Sequence, residues 1–131
     1  MRVVLDTHIL IYWVSQPDRL TPAQHHAIQT ISPKNPAVLA DISLWEIAML
    51  GAGGRLSLQL PIREWITRAV APPLVRVAEI TANIAAEVGD LTGWDHRDPA
   101  DRLIVATARV YGARLLTNDE RIRDSGLVEV V

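Results

Sequence analysis

The sequence contains no cysteine. That absence excludes a disulfide framework, a thiolate metal site and a cysteine nucleophile, and it suits a cytoplasmic protein. Lysine is nearly absent too: Lys34 stands alone against 12 arginines, so the 13 basic residues are almost all guanidinium groups, the type suited to bidentate phosphate contacts. There is no basic excess, since the net charge is −2. The strongly basic balance of many nucleic-acid binders is missing. Setting aside four acids as metal ligands would leave 11 acids against 13 bases, a slightly basic remainder that permits a polyanionic substrate without signalling one. No apolar run approaches the roughly 20 residues of a membrane span. The apolar opening MRVVLDTHILIYWV is interrupted by Asp6 and His8, which argues against a secretory signal and for a buried strand followed by a helix. No repeat, low-complexity tract or linker is visible. The four tryptophans, Trp13, Trp45, Trp65 and Trp94, lack the interleaved basic residues of a base-stacking platform and are expected in the core or at interfaces.

What is present is a chain of 131 residues, 49% hydrophobic, of a size and composition for one domain spanning 1–131. Short apolar runs alternate with helical stretches. Val3–Leu5, Ala37–Ala40, Leu74–Val77, Arg114–Thr117 and Leu127–Val131 read as strands. Helices are expected over His8–Val14, from Pro22 to about Ile31, over Leu44–Leu50, from Pro61 to about Ala71, over Thr81–Leu91 and over Ala100–Tyr111, with a short helical turn at Glu120–Asp124. Thr21 before Pro22, Thr81, and Asp41 or Ser43 are candidate N-caps, and Gly112 closes the helix that ends at Tyr111. The pattern predicts an α/β fold with a mainly parallel sheet, in which function sits beyond the carboxyl ends of the strands.

Four acids stand out against that frame. Asp6 directly follows Val-Val-Leu, at a strand's carboxyl end, where it is either a helix cap or a site residue. Glu46 is the only charged residue from Ile42 to Gly54, and its helical neighbours Ile42, Met49 and Leu50 are apolar. A carboxylate on a buried face costs several kcal/mol unless it is paired, protonated or metal-bound, so a metal or a distant arginine is expected there. Asp101 tops the apolar stripe of Ile104, Val105 and Ala108, whereas Asp98, before Pro99, is the natural cap. Asp119 lies just past the strand ending at Thr117, as a turn residue or a second strand-end acid. A doubly wound sheet would gather all four at one edge, where their mutual repulsion would be relieved by a hard, oxygen-preferring cation such as Mg²⁺ or Mn²⁺. His8 is expected to pack or hydrogen-bond locally and His96 to order its loop, while His25 and His26 read as helix-surface residues.

The segments VVLDTHILIYW, SLWEIAM, HRDPADRLIVATA and RLLTNDERI, in this order, give the chain a resemblance to PIN-domain ribonucleases, especially VapC-type toxins of toxin–antitoxin pairs. That resemblance implies a three-layer α/β/α domain, and it makes Asp6, Glu46, Asp101 and Asp119 the acidic quartet that binds Mg²⁺ or Mn²⁺ and hydrolyses RNA phosphodiesters. It carries the third role to Asp101, three residues before Ile104, rather than to Asp98. It matches Thr7, Ser43 and Thr117 to hydroxyls that support the acidic site, with Asp98 beside them. It further implies a homodimer and a small antitoxin protein as partner. One departure is Ala100, where related sequences often carry an aromatic residue; this chain has no phenylalanine at all. A change in local packing or substrate contact is expected from it, with catalysis retained. Two other readings compete. A receiver-like phosphoacceptor domain would also place an Asp beside Mg²⁺, but it needs a nearby lysine, and Lys34 sits in a proline-rich loop. A non-catalytic PIN-like binding module would be expected to lack one or more of the acids.

Overall fold

The structure, a computed structural model, describes residues 2–131. Four short strands, β1 (Val3–Leu5), β2 (Ala37–Ala40), β3 (Val75–Ala78) and β4 (Arg114–Leu116), form one sheet in the order β3-β2-β1-β4. All three pairings are parallel, with Val4 opposite Val38 and Leu115, and Leu39 opposite Val77. Between the strands run α1 (Thr7–Ser15), α2 (Pro22–Ile28), α3 (Ile42–Ala52), α4 (Ile62–Ala69), α5 (Ala82–Gly89) and α6 (Pro99–Tyr111); α7 (Glu120–Arg123) follows β4.

The strands are apolar at consecutive positions because both faces of the sheet are covered. Side chains alternate between faces along a strand, so each strand feeds two cores. Val3, Leu5, Ala37, Leu39 and Leu116 pack with Ile9 and Leu10 of α1, Ala27 of α2, Ile47 of α3 and Trp65 of α4. Val4, Val38, Ala40 and Leu115 pack on the opposite side with Ile104, Val105 and Ala108 of α6 and Ile122 of α7. This is a three-layer α/β/α arrangement. The chain steps outward from β1 to β3, then returns to place β4 on the other side of β1. Strand order therefore reverses at the β1–β4 boundary, which is where open parallel sheets form a crevice beyond their carboxyl ends.

Local signals set the helix ends. Thr21 and Gln24 form a reciprocal capping box ahead of Pro22, and Thr81 accepts from the Ile84 amide. Asp98 caps α6 by accepting from the Asp101 amide. Gly112 ends α6 in the left-handed region at φ 59°, a conformation that glycine adopts without a Cβ penalty.

Several expectations need correction. Leu127–Val131 does not form a strand; it contributes a single parallel bridge, Leu115 to Val130, at the edge of β4. Among the described residues, its backbone hydrogen bonds to β4 and Thr117 come only from Glu129 and Val131, so the first part of the segment pairs with nothing in the sheet. The second helix ends at Ile28, where the chain enters a turn closed by Thr30 and Ile31. Asp41 stands at the start of α3 but its side chain makes no cap bond there, accepting instead from the Ile80 amide. Glu46 does not lie on a fully buried face: the buried positions of α3 are Ser43 and Ile47, and Glu46 is half-buried beside them.

Candidate active site

The crevice at the β1–β4 boundary is a pocket of about 240 Å³ whose lining includes Asp6, Glu46, Asp98, Asp101, Asp119 and Arg121. The four acids singled out in the sequence thus come together from four different places: the end of β1, the middle of α3, the first turn of α6 and the loop after β4.

Asp6 is both a cap and a pocket residue. It is only 4% exposed. One carboxylate oxygen accepts from the Thr7 amide at 2.8 Å, which starts α1, and the other accepts from the Thr117 hydroxyl at 2.7 Å. Thr117 in turn accepts from the Asp119 amide at 3.0 Å, so one hydroxyl ties the ends of β1 and β4 together. The Thr7 hydroxyl donates to Glu46 Oε1. A hydroxyl has one proton, so Ser43, whose Oγ lies 2.9 Å from Thr7 Oγ1, supplies the proton between those two oxygens. The three small hydroxyl residues expected to support the acids are all buried and engaged with them directly or through one step. Among the described residues Glu46 has no arginine partner.

Asp101, on the inward side of α6, meets His96 Nε2 at 2.5 Å. The His96 ring packs on Trp94, and Arg102 donates to the carbonyls of both Trp94 and His96, pinning this loop to α6. His96 does order its loop, as expected. Its direct contact with Asp101 was not foreseen; the short spacing of five residues in HRDPAD was the available signal. His8 accepts the Asn118 amide on Nε2 at 2.9 Å, and its Nδ1 lies 3.7 Å from Asp6. It therefore bonds locally and lines the pocket as well. Arg121 was also missed. Its amide and guanidinium both approach Asp119, the guanidinium at 3.2 and 3.4 Å.

The electrostatics divide the quartet. Burial raises the Asp6 carboxyl from 3.8 to about 6; the Thr117 and Thr7 hydrogen bonds oppose this, and the charges of Asp101 and Asp119 add to it. Burial also raises Glu46 and Asp101, with partial relief from Thr7 and His96 respectively. At Asp119 burial again pushes upward, but the hydrogen bonds and charge of Arg121 outweigh it and hold the carboxyl below its ordinary value. Burial lowers His8, which favours the neutral ring that accepts from Asn118. Three neighbouring acids thus share a raised proton affinity with no lysine or arginine beside them among the described residues, and a hard divalent cation would favour their ionised forms. Among the described residues no three acidic or imidazole groups already converge into a closed cage. Each acid is turned onto a partner of its own: Thr117, Thr7, His96 or Arg121. Their chemistry, four carboxylates lining one pocket, is that of hard oxygen donors, the kind a Mg²⁺ or Mn²⁺ ion takes.

The PIN domain profile matches residues 3–126. The chain belongs to the PIN-domain family. It is 38% identical over 121 residues to ribonuclease VapC22 of Mycobacterium tuberculosis, a span covering 92% of this chain and 89% of that protein. Its fold is also that of the VapBC2 complex of Rickettsia felis bound to a promoter DNA fragment (TM-score 0.74, 15% identity, 100% and 98% of the two chains covered). A toxin–antitoxin complex from Klebsiella pneumoniae aligns with a TM-score of 0.64 at 25% identity over 98% of this chain and 95% of the other. PIN membership and the parallel three-layer fold agree with the sequence-based expectation, and they displace the receiver-like alternative. No helix among the described residues is long and apolar enough to cross a membrane.

Proposed function

We propose that this PIN-domain protein is a Mg²⁺- or Mn²⁺-dependent ribonuclease that hydrolyses RNA phosphodiester bonds, and that it acts in the cytoplasm as the toxin of a toxin–antitoxin pair. The observation that carries the reading is the meeting of Asp6, Glu46, Asp101 and Asp119 around one pocket, three of them with raised proton affinity and none of those three paired with a lysine or arginine among the described residues. The kinship to a VapC ribonuclease supplies the RNA substrate, and the toxin–antitoxin complexes of the same fold supply the class of partner.

In this reading Asp6, Glu46, Asp101 and Asp119 hold the metal. A Mg²⁺ or Mn²⁺ ion held there would supply Lewis-acid stabilisation of phosphoryl charge and would lower the pKa of a water molecule towards neutrality. Thr7 and Thr117 fix the carboxylates of Glu46 and Asp6, so that little reorganisation is needed as charge develops. Asp98, at the pocket rim, caps α6 and leaves the ligand role to Asp101. An antitoxin that presents an arginine to this carboxylate cluster would gain a charge-assisted contact and compete with the metal. A homodimer is part of the same proposal.

The test uses purified protein and single-stranded RNA. Cleavage is expected with Mg²⁺ or Mn²⁺, and none with chelator or with Asp6→Asn. Either ion should also raise the melting temperature, because it binds only the folded state, and Glu46→Gln should remove most of that gain. A folded native chain that neither responds to metal nor cuts RNA would favour the non-catalytic binding module. In a bacterial host the native chain should arrest growth, and co-expression of the neighbouring short reading frame should relieve it.

A further inference from the structure

The acidic pocket has one arginine in its lining, Arg121, and the geometry around it is that of a loose hold. Arg121 is the second residue of α7 and its side chain is 65% exposed. Its guanidinium reaches Asp119 at 3.2 and 3.4 Å, longer than the roughly 2.7–2.9 Å of a tight charge-assisted contact. Space lies on both sides of it: Arg121 also lines a neighbouring pocket of about 470 Å³, formed with Trp94, His96 and Asp124. An exposed side chain held by two long contacts, one to each Asp119 oxygen, can turn away from Asp119 at small cost.

The chemistry of the site gives it somewhere to go. A phosphodiester entering a pocket lined by Asp6, Glu46, Asp98, Asp101 and Asp119 meets like charge on most sides. Among the described lining residues, Arg121 is the only permanently cationic one. Guanidinium matches phosphate oxygens as well as it matches a carboxylate. Arg121 contacts both Asp119 oxygens, so a divalent cation bound to that carboxylate would weaken the guanidinium's hold by repulsion and by sharing its acceptors.

We propose that Arg121 is an exchangeable counter-ion of the pocket: it neutralises Asp119 in the metal-free protein and transfers to a phosphate of the RNA backbone when a divalent cation takes Asp119. This rests on the metal-dependent ribonuclease reading above and adds a substrate-contact residue that the acidic quartet does not include. It makes two effects of one substitution run in opposite directions. Loss of Arg121 frees Asp119 for metal and removes a phosphate contact from RNA. A merely structural contribution to α7 would weaken both.

The experiment measures Mn²⁺ binding by titration calorimetry and RNA binding by fluorescence anisotropy. The RNA probe is a short single-stranded phosphorothioate-backbone oligoribonucleotide, which resists hydrolysis, in the presence of Mn²⁺. Native protein is compared with Arg121→Gln and Arg121→Lys. For Arg121→Gln, Mn²⁺ is expected to bind about two- to fivefold more tightly, in line with loss of an exposed ion pair. RNA should bind several-fold more weakly, with the slope of log affinity against log salt reduced by about 0.7, the value for one single-strand phosphate contact. Arg121→Lys should retain most of the salt slope. If the native chain binds both probes and Arg121→Gln moves neither, or moves both the same way, the exchange is wrong while the ribonuclease reading stands. If the native chain binds neither Mn²⁺ nor RNA, the ribonuclease reading fails and takes this proposal with it.

Discussion

At the scale of single residues, the site consists of carboxylates held in place by hydroxyls and left without enough positive charge. Asp6 shows the consequence. Its carboxyl is raised from 3.8 to about 6, chiefly by burial. The folded protein therefore binds this proton more tightly than the unfolded chain does between about pH 4 and 6. The sign follows: stability linked to Asp6 is highest below that window and is lost as pH rises through 6. A shift of about two units corresponds to about 3 kcal/mol in total. In chelator, native protein should lose melting temperature from pH 4 to pH 7; Asp6→Asn should lose less because the Asp6 contribution is gone, the remaining loss coming from Glu46 and Asp101, which act in the same direction. Equal slopes for the two proteins would rule out the Asp6 assignment. His96 gives a second prediction. Its Nε2 contact holds Asp101, so it is a positioning residue. Under the ribonuclease reading, His96→Ala should reduce metal affinity or cleavage about 10- to 100-fold, as removal of an outer-sphere partner does. His96→Gln, which keeps an N–H near the position of Nε2, should restore a substantial part. No rescue by glutamine would point to a packing role against Trp94 instead.

At the scale of elements, α6 separates two acids three residues apart. Asp98 lies before the first turn, is exposed, and accepts from the Asp101 amide. Asp101 lies inside the first turn and is buried against the pocket. Both line the pocket, but Asp98 is the non-helical cap whose carboxylate is taken up by the Asp101 amide, whereas the Asp101 carboxylate is free of the helix end and meets His96. Asp98→Ser keeps a good cap and should retain measurable cleavage, whereas Asp101→Asn should lose nearly all of it while the melting profile stays cooperative. The reverse pattern would move the ligand role to Asp98. The elements were largely legible beforehand for local reasons: Thr21-Pro22, Thr81, Asp98-Pro99 and Gly112 each set a helix end through bonds within a few residues. The segment after Gly126 was misread as a strand. Alternating apolar residues there match strand periodicity, but a strand exists only through its partner, and the edge of β4 offers it one bridge.

At the scale of the whole molecule, the distribution of apolar surface bears on assembly. On α1, Ile9 is fully buried in the core, while Tyr12 and Trp13 are partly covered. The exposed apolar residues include Trp45 and Met49, at 59% and 47%, one turn apart on α3 beside Glu46. A tryptophan so exposed marks a contact surface more readily than a solvent-facing position. With two-fold dimers the commonest oligomers, the protein is expected to be dimeric by light scattering at micromolar concentration, and Trp45→Glu should shift it to monomer. A native chain that scatters as a monomer would remove the dimer from the proposal.

The sequence by itself determined the layered parallel fold and the identity of the candidate acids. Strand runs buried on both faces, helix caps and the isolation of Glu46 in an apolar stretch are properties of neighbouring residues, and neighbouring residues are what a sequence displays. Tertiary structure alone decided what those acids touch. Thr117 reaches Asp6 across 111 positions and Thr7 reaches Glu46 across 39, because β1 and β4 are adjacent strands and α3 packs over the start of α1. It also decided which acid has a counter-ion. Arg121 is two residues from Asp119, yet that spacing alone does not aim a guanidinium; the turn into α7 at the mouth of the pocket does. Proton affinity and ion pairing depend on distance and burial in space, and those arise only when the sheet brings its strand ends together.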